Sequence, residues 1–344
     1  MQAVHVPRHG DPSVLTLVDL ERPAPGPGEV LVKVRAVSVN HLDLFVRAGM
    51  PGVTIPLPRI PGCDGTGEVV ALGAGVTDHH VGELVVLEPG YTDGPSEFVE
   101  RGEDHLAPDY KIRGEHCDGF DREYVALPAH YALHLPEGLD PVGTAAMPLV
   151  FLTAWAMLHG RAKVQAGEVV LVLAGASGVG SAAIQIARVA GATVLSTAGS
   201  EEKRALAREL GASEVFDHGD PDWAKAVKRA TDGRGVDVVV EHVGPATWRS
   251  SMGALARNGR LVTCGATTGP KVDVFLPQLF IKNLSVLGST MGPRSALPAI
   301  LDHAAKGDFR AVVDRVLPLS KVREAHELLE QNRAVGKIVL EPGA

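Results

Sequence analysis

The chain has 344 residues, 45% of them hydrophobic and 22% charged, and a formal net charge of −8. That length exceeds what one hydrophobic core usually organises, so two domains are expected. The negative charge argues against nucleic acid as a partner, because polyanions bind basic surfaces. No window approaches the roughly 18 consecutive apolar residues of a membrane span, and Met1-Gln2-Ala3-Val4-His5 lacks a secretory signal's basic and apolar regions, so a cytoplasmic protein is expected. Cys63, Cys117 and Cys264 are too few and too scattered for a disulfide framework or a four-cysteine metal site.

The first 150 residues carry short β runs, Val30-Leu31-Val32-Lys33-Val34 and Gly67-Glu68-Val69-Val70-Ala71-Leu72, between turns rich in Pro and Gly. This pattern predicts an antiparallel, barrel-like region. Residues 90–117 have little periodicity and many charges and read as a long loop or lobe. From about 155 to 290, apolar strands alternate with amphipathic helices, the pattern of a parallel sheet covered on both faces. Strands are predicted over 169–173, 193–197, near 215, and over 236–240, 261–264 and 284–287. Helices are predicted over 181–190, 201–210, 222–230 and near 250, and Gly211 is a helix stop. Six strands with crossovers make a doubly wound sheet. Helices over 297–306 and 321–332 and a strand over 337–340 are expected to return to the first domain. The domains are thus 1–150 with 291–344, and 151–290.

The run Val169-Val170-Leu171-Val172-Leu173 passes directly into Gly175-x-Ser177-x-x-Gly180 and an Ala-rich helix. Glycines there allow a sharp turn, and at Gly175, Gly178 and Gly180 the missing side chains let backbone amides approach a pyrophosphate at the helix N-terminus. Alone, such a loop is equally well a simple turn.

The order of these elements, together with Val39-Asn40-His41-Leu42-Asp43, Pro61-Gly62-Cys63-Asp64-Gly65-Thr66-Gly67-Glu68, Ala145-Ala146-Met147-Pro148, Leu152-Thr153-Ala154-Trp155 and Gly336-Lys337-Ile338-Val339, resembles the medium-chain dehydrogenase/reductase superfamily. Within it the chain looks like the quinone-oxidoreductase branch and the zinc-type alcohol dehydrogenase relatives that have lost zinc. The resemblance runs nearly end to end and implies an α/β fold: a GroES-like antiparallel β-barrel domain plus a doubly wound Rossmann domain. It also implies that Val179 packs behind a nicotinamide and that Thr153 lies against its ring. His242, Val243, Gly265, Ala266, Thr267, Ser289 and Thr290 would line the coenzyme cleft, although each is also explained as strand-end packing. Lys337 either reaches a coenzyme phosphate or is simply solvated.

The end of the second strand of such a sheet faces the adenosine ribose, where an acidic residue selects NAD(H). Residues 181–200 contain no Asp or Glu, and the turn reads Thr197-Ala198-Gly199-Ser200 with Lys203 and Arg204 beyond it. NADP(H) is therefore favoured, with Gly199 leaving room for a 2′-phosphate and Ser200 and Lys203 contacting it, and NAD(H) stays open. Ser200 also fits as the helix cap, and Glu201 and Glu202 weigh against a phosphate.

The positions matching the family's catalytic zinc ligands are Asn40, Cys63 with Asp64, and Leu149. Leucine cannot coordinate and an amide oxygen is a poor zinc ligand, so no catalytic zinc is expected. The lobe that carries a structural zinc in relatives has one cysteine here, Cys117, beside His105 and His116, so no structural zinc is expected either. Without a Lewis acid, reduction is the easier direction: hydride transfer to a quinone or an α,β-unsaturated carbonyl, with a hydrogen bond to the developing enolate oxygen. Asn40 is the first candidate for that bond. His41 and Asp64 are candidates for proton delivery, Asp43 for orienting its neighbours, and Phe45, Tyr91, Phe151 and Trp155 for an apolar wall. Two other readings stay open, an alcohol or aldehyde dehydrogenase using NAD(H) with a degenerate zinc site and a non-catalytic NADPH-binding protein. The last sheet strand is an apolar edge, so a homodimer or homotetramer is expected.

Overall fold

Residues 1–50 and 52–343 are described by a computed structural model, in which the chain divides into one unit of residues 1–149 with 293–344 and a second of residues 150–292.

The second unit is built on a six-stranded sheet in which every pair is parallel. Its spatial order is Glu214–Asp217, Thr193–Ala198, Val169–Val172, Val236–Glu241, Leu255–Thr263, Ser285–Gly288. In chain order that is 3-2-1-4-5-6, so the winding reverses between Val169–Val172 and Val236–Glu241, and loops leaving those two strands flank the crevice where doubly wound sheets take nucleotides. Val170, Leu171 and Val172 are fully buried, as the unbroken apolar run demands of a strand covered on both faces. The helix Gly178–Val189 buries Ala182, Ala183, Ile184, Ile186 and Ala187, small and branched side chains that let it lie close to the sheet. Leu255–Thr263 starts six residues before its predicted beginning, with a register shift opposite Val236 and Val238. Polar residues there (Arg257, Asn258 and Arg260) interrupt the apolar periodicity of the strand.

In the first unit the eleven-residue strand Glu29–Val39 organises a seven-stranded sheet. One edge pairs with Asp64–Leu72 along its length. The other pairs with Tyr124–Pro128 over residues 29–33 and with Lys337–Glu341 over residues 37–39. Register shifts at Leu31/Val32 and Val34/Ala36 curl the strand between these partners, as bulges do. All pairs are antiparallel except Val313–Pro318 with Lys337–Glu341. Inward side chains including Val30, Val32, Val34, Val69, Val85, Leu87, Phe120 and Leu127 fill the core. The 90–117 lobe holds a two-stranded ladder, Gly90–Tyr91 with Lys111–Ile112, and a four-residue helix, Glu97–Glu100.

Among the helices absent from the predicted elements is Pro148–Trp155, continued by a π-helical turn, Ala156–Arg161. Its sequence is apolar all round, so it lacks the 3.6-residue alternation that betrays a surface helix. No helix among the described residues is long and apolar enough to cross a membrane.

Candidate active site

In the second unit, parallel pairing sends every strand end to one edge of the sheet, and the expected coenzyme residues gather there. Ser177 begins the helix Gly178–Val189, its Oγ accepting from Gly180 N at 3.0 Å. A Cβ on Gly180 would lie 2.3 Å from the Ala174 carbonyl oxygen, so only glycine closes this turn. The remaining first-turn amides have no intrahelical acceptors, the arrangement that suits a pyrophosphate. His242 Nε2 lies 3.0 Å from Ser177 Oγ, which joins the loop after the first strand to the loop after the fourth. Burial holds the His242 imidazole below its usual pKa. Thr267 Oγ1 donates to the His242 carbonyl at 2.8 Å and Ser289 N to the Thr263 carbonyl at 2.9 Å. Val243, Gly265, Ala266 and Thr290 sit in the same strand-end loops, and Val179 sits in the first turn of the helix. Thr153 is buried on the helix Pro148–Trp155.

Two features of this edge had no signal in the sequence reading. Glu241, fully buried, accepts from Val243 N (2.8 Å), Gly244 N (3.1 Å), Thr247 Oγ1 (3.0 Å) and Ser251 Oγ (2.6 Å). It ties the His242–Gly244 turn to two hydroxyls of the helix Pro245–Ala254. At the ribose end, Ser200 Oγ accepts from Lys203 N at 3.2 Å, so it does cap its helix. Arg204 is held by Glu201 (3.0 Å) and by Asp217 (3.0 Å) from the neighbouring strand, with Ala198 paired to Asp217. His218 Nδ1 lies 3.4 Å from Thr197 Oγ1, and Gly199 packs against the same ring.

In the first unit a buried polar cluster forms where three strands meet. Ser38 is paired with Asp64 across the sheet, and Val39 with Ile338, so Asn40, Asp64 and Lys337 converge. Asn40 and Lys337 are 4% and 5% exposed and Asp64 is fully buried. Asp64 Oδ2 accepts from Asn40 Nδ2 (2.9 Å), Ser38 Oγ (2.9 Å) and Lys337 Nζ (3.4 Å), while Oδ1 accepts from Leu149 N (2.7 Å). Asn40 Nδ2 also meets the Ser38 carbonyl at 3.2 Å and Cys63 Sγ at 3.4 Å, and Asn40 Oδ1 accepts from Lys337 Nζ. Both amide hydrogens of Asn40 are therefore committed inside the cluster. The Lys337 ammonium has three N–H groups and two acceptors among the described residues. Gly336 delivers it: with φ +101° and a would-be Cβ 2.4 Å from the Val312 carbonyl oxygen, no other residue fits before the lysine.

Asp43 supports the cluster, accepting from Asn40 N at 2.7 Å and Gly62 N at 3.0 Å. Burial raises its pKa to about 6 in spite of those two amides. Burial also pushes the Cys63 thiol well above its usual range, reinforced by the carboxylates of Asp43 and Asp64. His41 opens the helix His41–Ala48 with its ring 6.5 Å from that of Phe45. The four expected wall residues do not share one environment. Phe45 is 40% exposed and Phe151 fully buried, and Tyr91 packs in the 90–117 lobe against Tyr131.

Residues 26–137 match the family model described as the alcohol dehydrogenase GroES-like domain, and residues 178–306 that of the zinc-binding dehydrogenase. A quinone oxidoreductase of Pseudomonas aeruginosa is 33% identical over 97% of this chain and 97% of its own length. The chain belongs to the medium-chain dehydrogenase/reductase superfamily. A solved structure described as an NAD-dependent alcohol dehydrogenase superposes with a TM-score of 0.97 at 44% identity, covering 100% of both chains. A crotonyl-CoA carboxylase/reductase in complex with NADP superposes with a TM-score of 0.89 at 26% identity, covering 99% of this chain and 94% of the other. The protein is thus an NAD(P)H-dependent oxidoreductase of this superfamily.

The donors at the superfamily's zinc position do not fit that metal. Leu149 contributes no side-chain donor, its backbone amide being spent on Asp64, and Asn40 offers only an amide oxygen that already accepts from Lys337. Both oxygens of Asp64 are engaged by N–H or O–H donors, and a cation of the protein's own, Lys337, already sits against Asn40 and Asp64. Instead of reaching outward for a phosphate, the Lys337 ammonium is turned into this cluster. Among the described residues no group of three or more His, Cys, Asp or Glu side chains could hold a metal ion.

Proposed function

We propose that this protein reduces a quinone or an α,β-unsaturated carbonyl with a nicotinamide coenzyme, NADP(H) ahead of NAD(H), without a metal, and in the cytoplasm. The observation that carries the reading is the buried Lys337 ammonium, whose three N–H groups meet two acceptors, Asn40 and Asp64, among the described residues. A fixed cation there stabilises the oxyanion that forms as hydride arrives, and an ammonium has no vacant orbital with which to coordinate an alcohol as a metal does. The bound coenzyme supplies the hydride. The second unit binds and orients it through the Ser177–Gly180 turn and the Glu241-braced His242-Val243 turn. In the first unit Lys337 would donate to the oxygen that gains charge as hydride reaches the electron-poor carbon, and Asp64 holds the lysine in place. Asn40 positions Lys337 and is not itself the oxyanion donor, since its amide hydrogens are spent on Asp64, Ser38 and Cys63.

The coenzyme preference rests on the acid-free end of Thr193–Ala198, with Gly199 and Lys203 beyond it. The Arg204–Asp217 pair works against it by neutralising one candidate phosphate contact. We also propose a homodimer formed through the edge strand Ser285–Gly288. Beside that edge Phe275, Leu276, Phe280 and Ile281 are 70%, 62%, 66% and 57% exposed, an apolar surface that a soluble chain ordinarily covers.

The test is coenzyme oxidation by metal-analysed protein, with NADPH and NADH in parallel, against 1,4-quinones, cyclic enones, aldehydes and alcohols. NADPH-dependent reduction of quinones or enones that a chelator leaves intact is expected. Chelator-sensitive alcohol oxidation with NAD would overturn the proposal.

A further inference from the structure

Besides the polar cluster, the first unit contains a cavity of about 520 Å³ lined by Tyr91, Arg113, Cys117, Arg122, His130 and Tyr131, among others. Arg113 is 7% exposed, and its guanidinium carbon lies 4.9, 5.5 and 5.6 Å from the ring centroids of Tyr91, Tyr131 and Phe120. Aromatic faces satisfy the flat side of a guanidinium and leave its N–H edge needing acceptors. None is provided: the Nε atoms of Arg113 and Arg122 are both buried without a hydrogen-bond partner among the described residues.

The acids near them are already engaged. Of the carboxylates lining the cavity, Asp118 binds Arg59 at 3.3 Å and Ile60 N at 3.1 Å, Asp93 binds Lys111, and Glu29 accepts from Gly26 N at 2.8 Å. Glu88, on which the Arg113 charge acts, is paired with Arg294 at 3.0 Å. The Tyr131 hydroxyl is tied to the backbone of Thr92. Arg113, buried, and Arg122, half-buried, therefore line one cavity with no side-chain hydrogen bond or ion pair among the described residues, an arrangement proteins rarely tolerate unless a ligand completes it.

We infer that this cavity is a binding site for a small organic carboxylate, which takes the forks of Arg113 and Arg122 on its oxygens and the rings of Tyr91 and Tyr131 on its apolar body. It uses none of the residues assigned to coenzyme or to the Lys337 cluster, so it accepts its ligand whatever the reaction proves to be.

The test is calorimetric titration of the full-length protein at low ionic strength with sodium benzoate, sodium acetate and inorganic phosphate. Benzoate is expected to bind at one site, more tightly than acetate or phosphate, and Arg113→Met and Arg122→Met should each weaken it about tenfold or more while NADPH affinity stays constant. Arg113→Lys keeps the charge and loses the fork, so it should weaken benzoate even where Arg113→Met fails to fold. Benzoate affinity unchanged in Arg122→Met and Arg113→Lys, no benzoate binding at tens of millimolar, or phosphate bound in preference to benzoate would each overturn the assignment.

Discussion

Replacing Lys337 with methionine keeps most of the side chain's bulk and removes its charge. Asp64, fully buried, then loses a cationic partner, and Asn40 Oδ1 loses its donor. Breaking a buried ion pair by deleting one member costs about 3–5 kcal/mol, because the survivor stays buried and uncompensated. Asp64 still accepts from Asn40, Ser38 and the Leu149 amide, which places the cost at the lower end, about 3 kcal/mol. That is a large share of an ordinary stability of about 5–15 kcal/mol but leaves the chain folded. If the pair is what holds the cluster, Lys337→Met combined with Asp64→Asn should cost less than the two single changes added together, by about 1–3 kcal/mol. Urea denaturation of the wild type, the two single variants and the double variant measures this coupling. Additivity within about 0.5 kcal/mol would refute a charge-paired cluster. Under the proposed function, Lys337→Met also loses about 10²–10³-fold in kcat, the usual cost of removing one oxyanion donor.

Glu241→Ala strands the four donors that converge on that carboxylate and should cost about 3–5 kcal/mol, weaken coenzyme binding and speed hydrogen exchange at residues 242–247; unchanged exchange there would show that Glu241 does not brace the turn. His326 is fully buried, and burial, aided by the Arg47 charge, depresses its pKa to about 3 from 6.5. A base depressed on folding contributes stability above pH 6.5 that is lost as pH falls toward 3. His326→Gln should therefore flatten the acid side of the stability profile by up to about 1.4 kcal/mol per pH unit, and urea midpoints that fall just as steeply from pH 6.5 to 4 would contradict it. Asp43, with its pKa raised to about 6 by burial, has the opposite sign: its share of stability is full below about 4 and is lost as pH rises through about 6. Phe275→Asp with Phe280→Asp should convert a dimer to a monomer by light scattering, and an unaltered mass would place the interface elsewhere.

What the sequence disclosed was local in character. An apolar run feeding a glycine turn and an Ala-rich helix shows its identity within a dozen residues, and the alternation of strands and helices after it allows few sheet orders. The strand Leu255–Thr263 and the helix Pro148–Trp155 were misread or missed because neither follows a simple polar–apolar rhythm. The candidate site was legible as a set of positions but not as a network. Asn40 carries both a donor and an acceptor, and only three-dimensional placement shows that its donors are used internally while its oxygen holds a lysine 297 positions away in the chain. Asp217 and His218 came to the ribose end through pairing with a neighbouring strand, a relation no spacing rule within 181–200 contains.

The strand Lys337–Glu341 closes against Glu29–Val39 only after the whole intervening unit, residues 150–292, has been made. Chains emerge from synthesis N-terminus first and distant pairings form late. A molecule that stops short of residue 337 therefore has its dinucleotide sheet but neither the closing strand nor the cation that Asp64 awaits. Under the proposed function, chemical competence is the mark of a finished chain: one interrupted before residue 337 lacks the ammonium on which the reduction depends, so truncation is expected to give coenzyme binding without turnover.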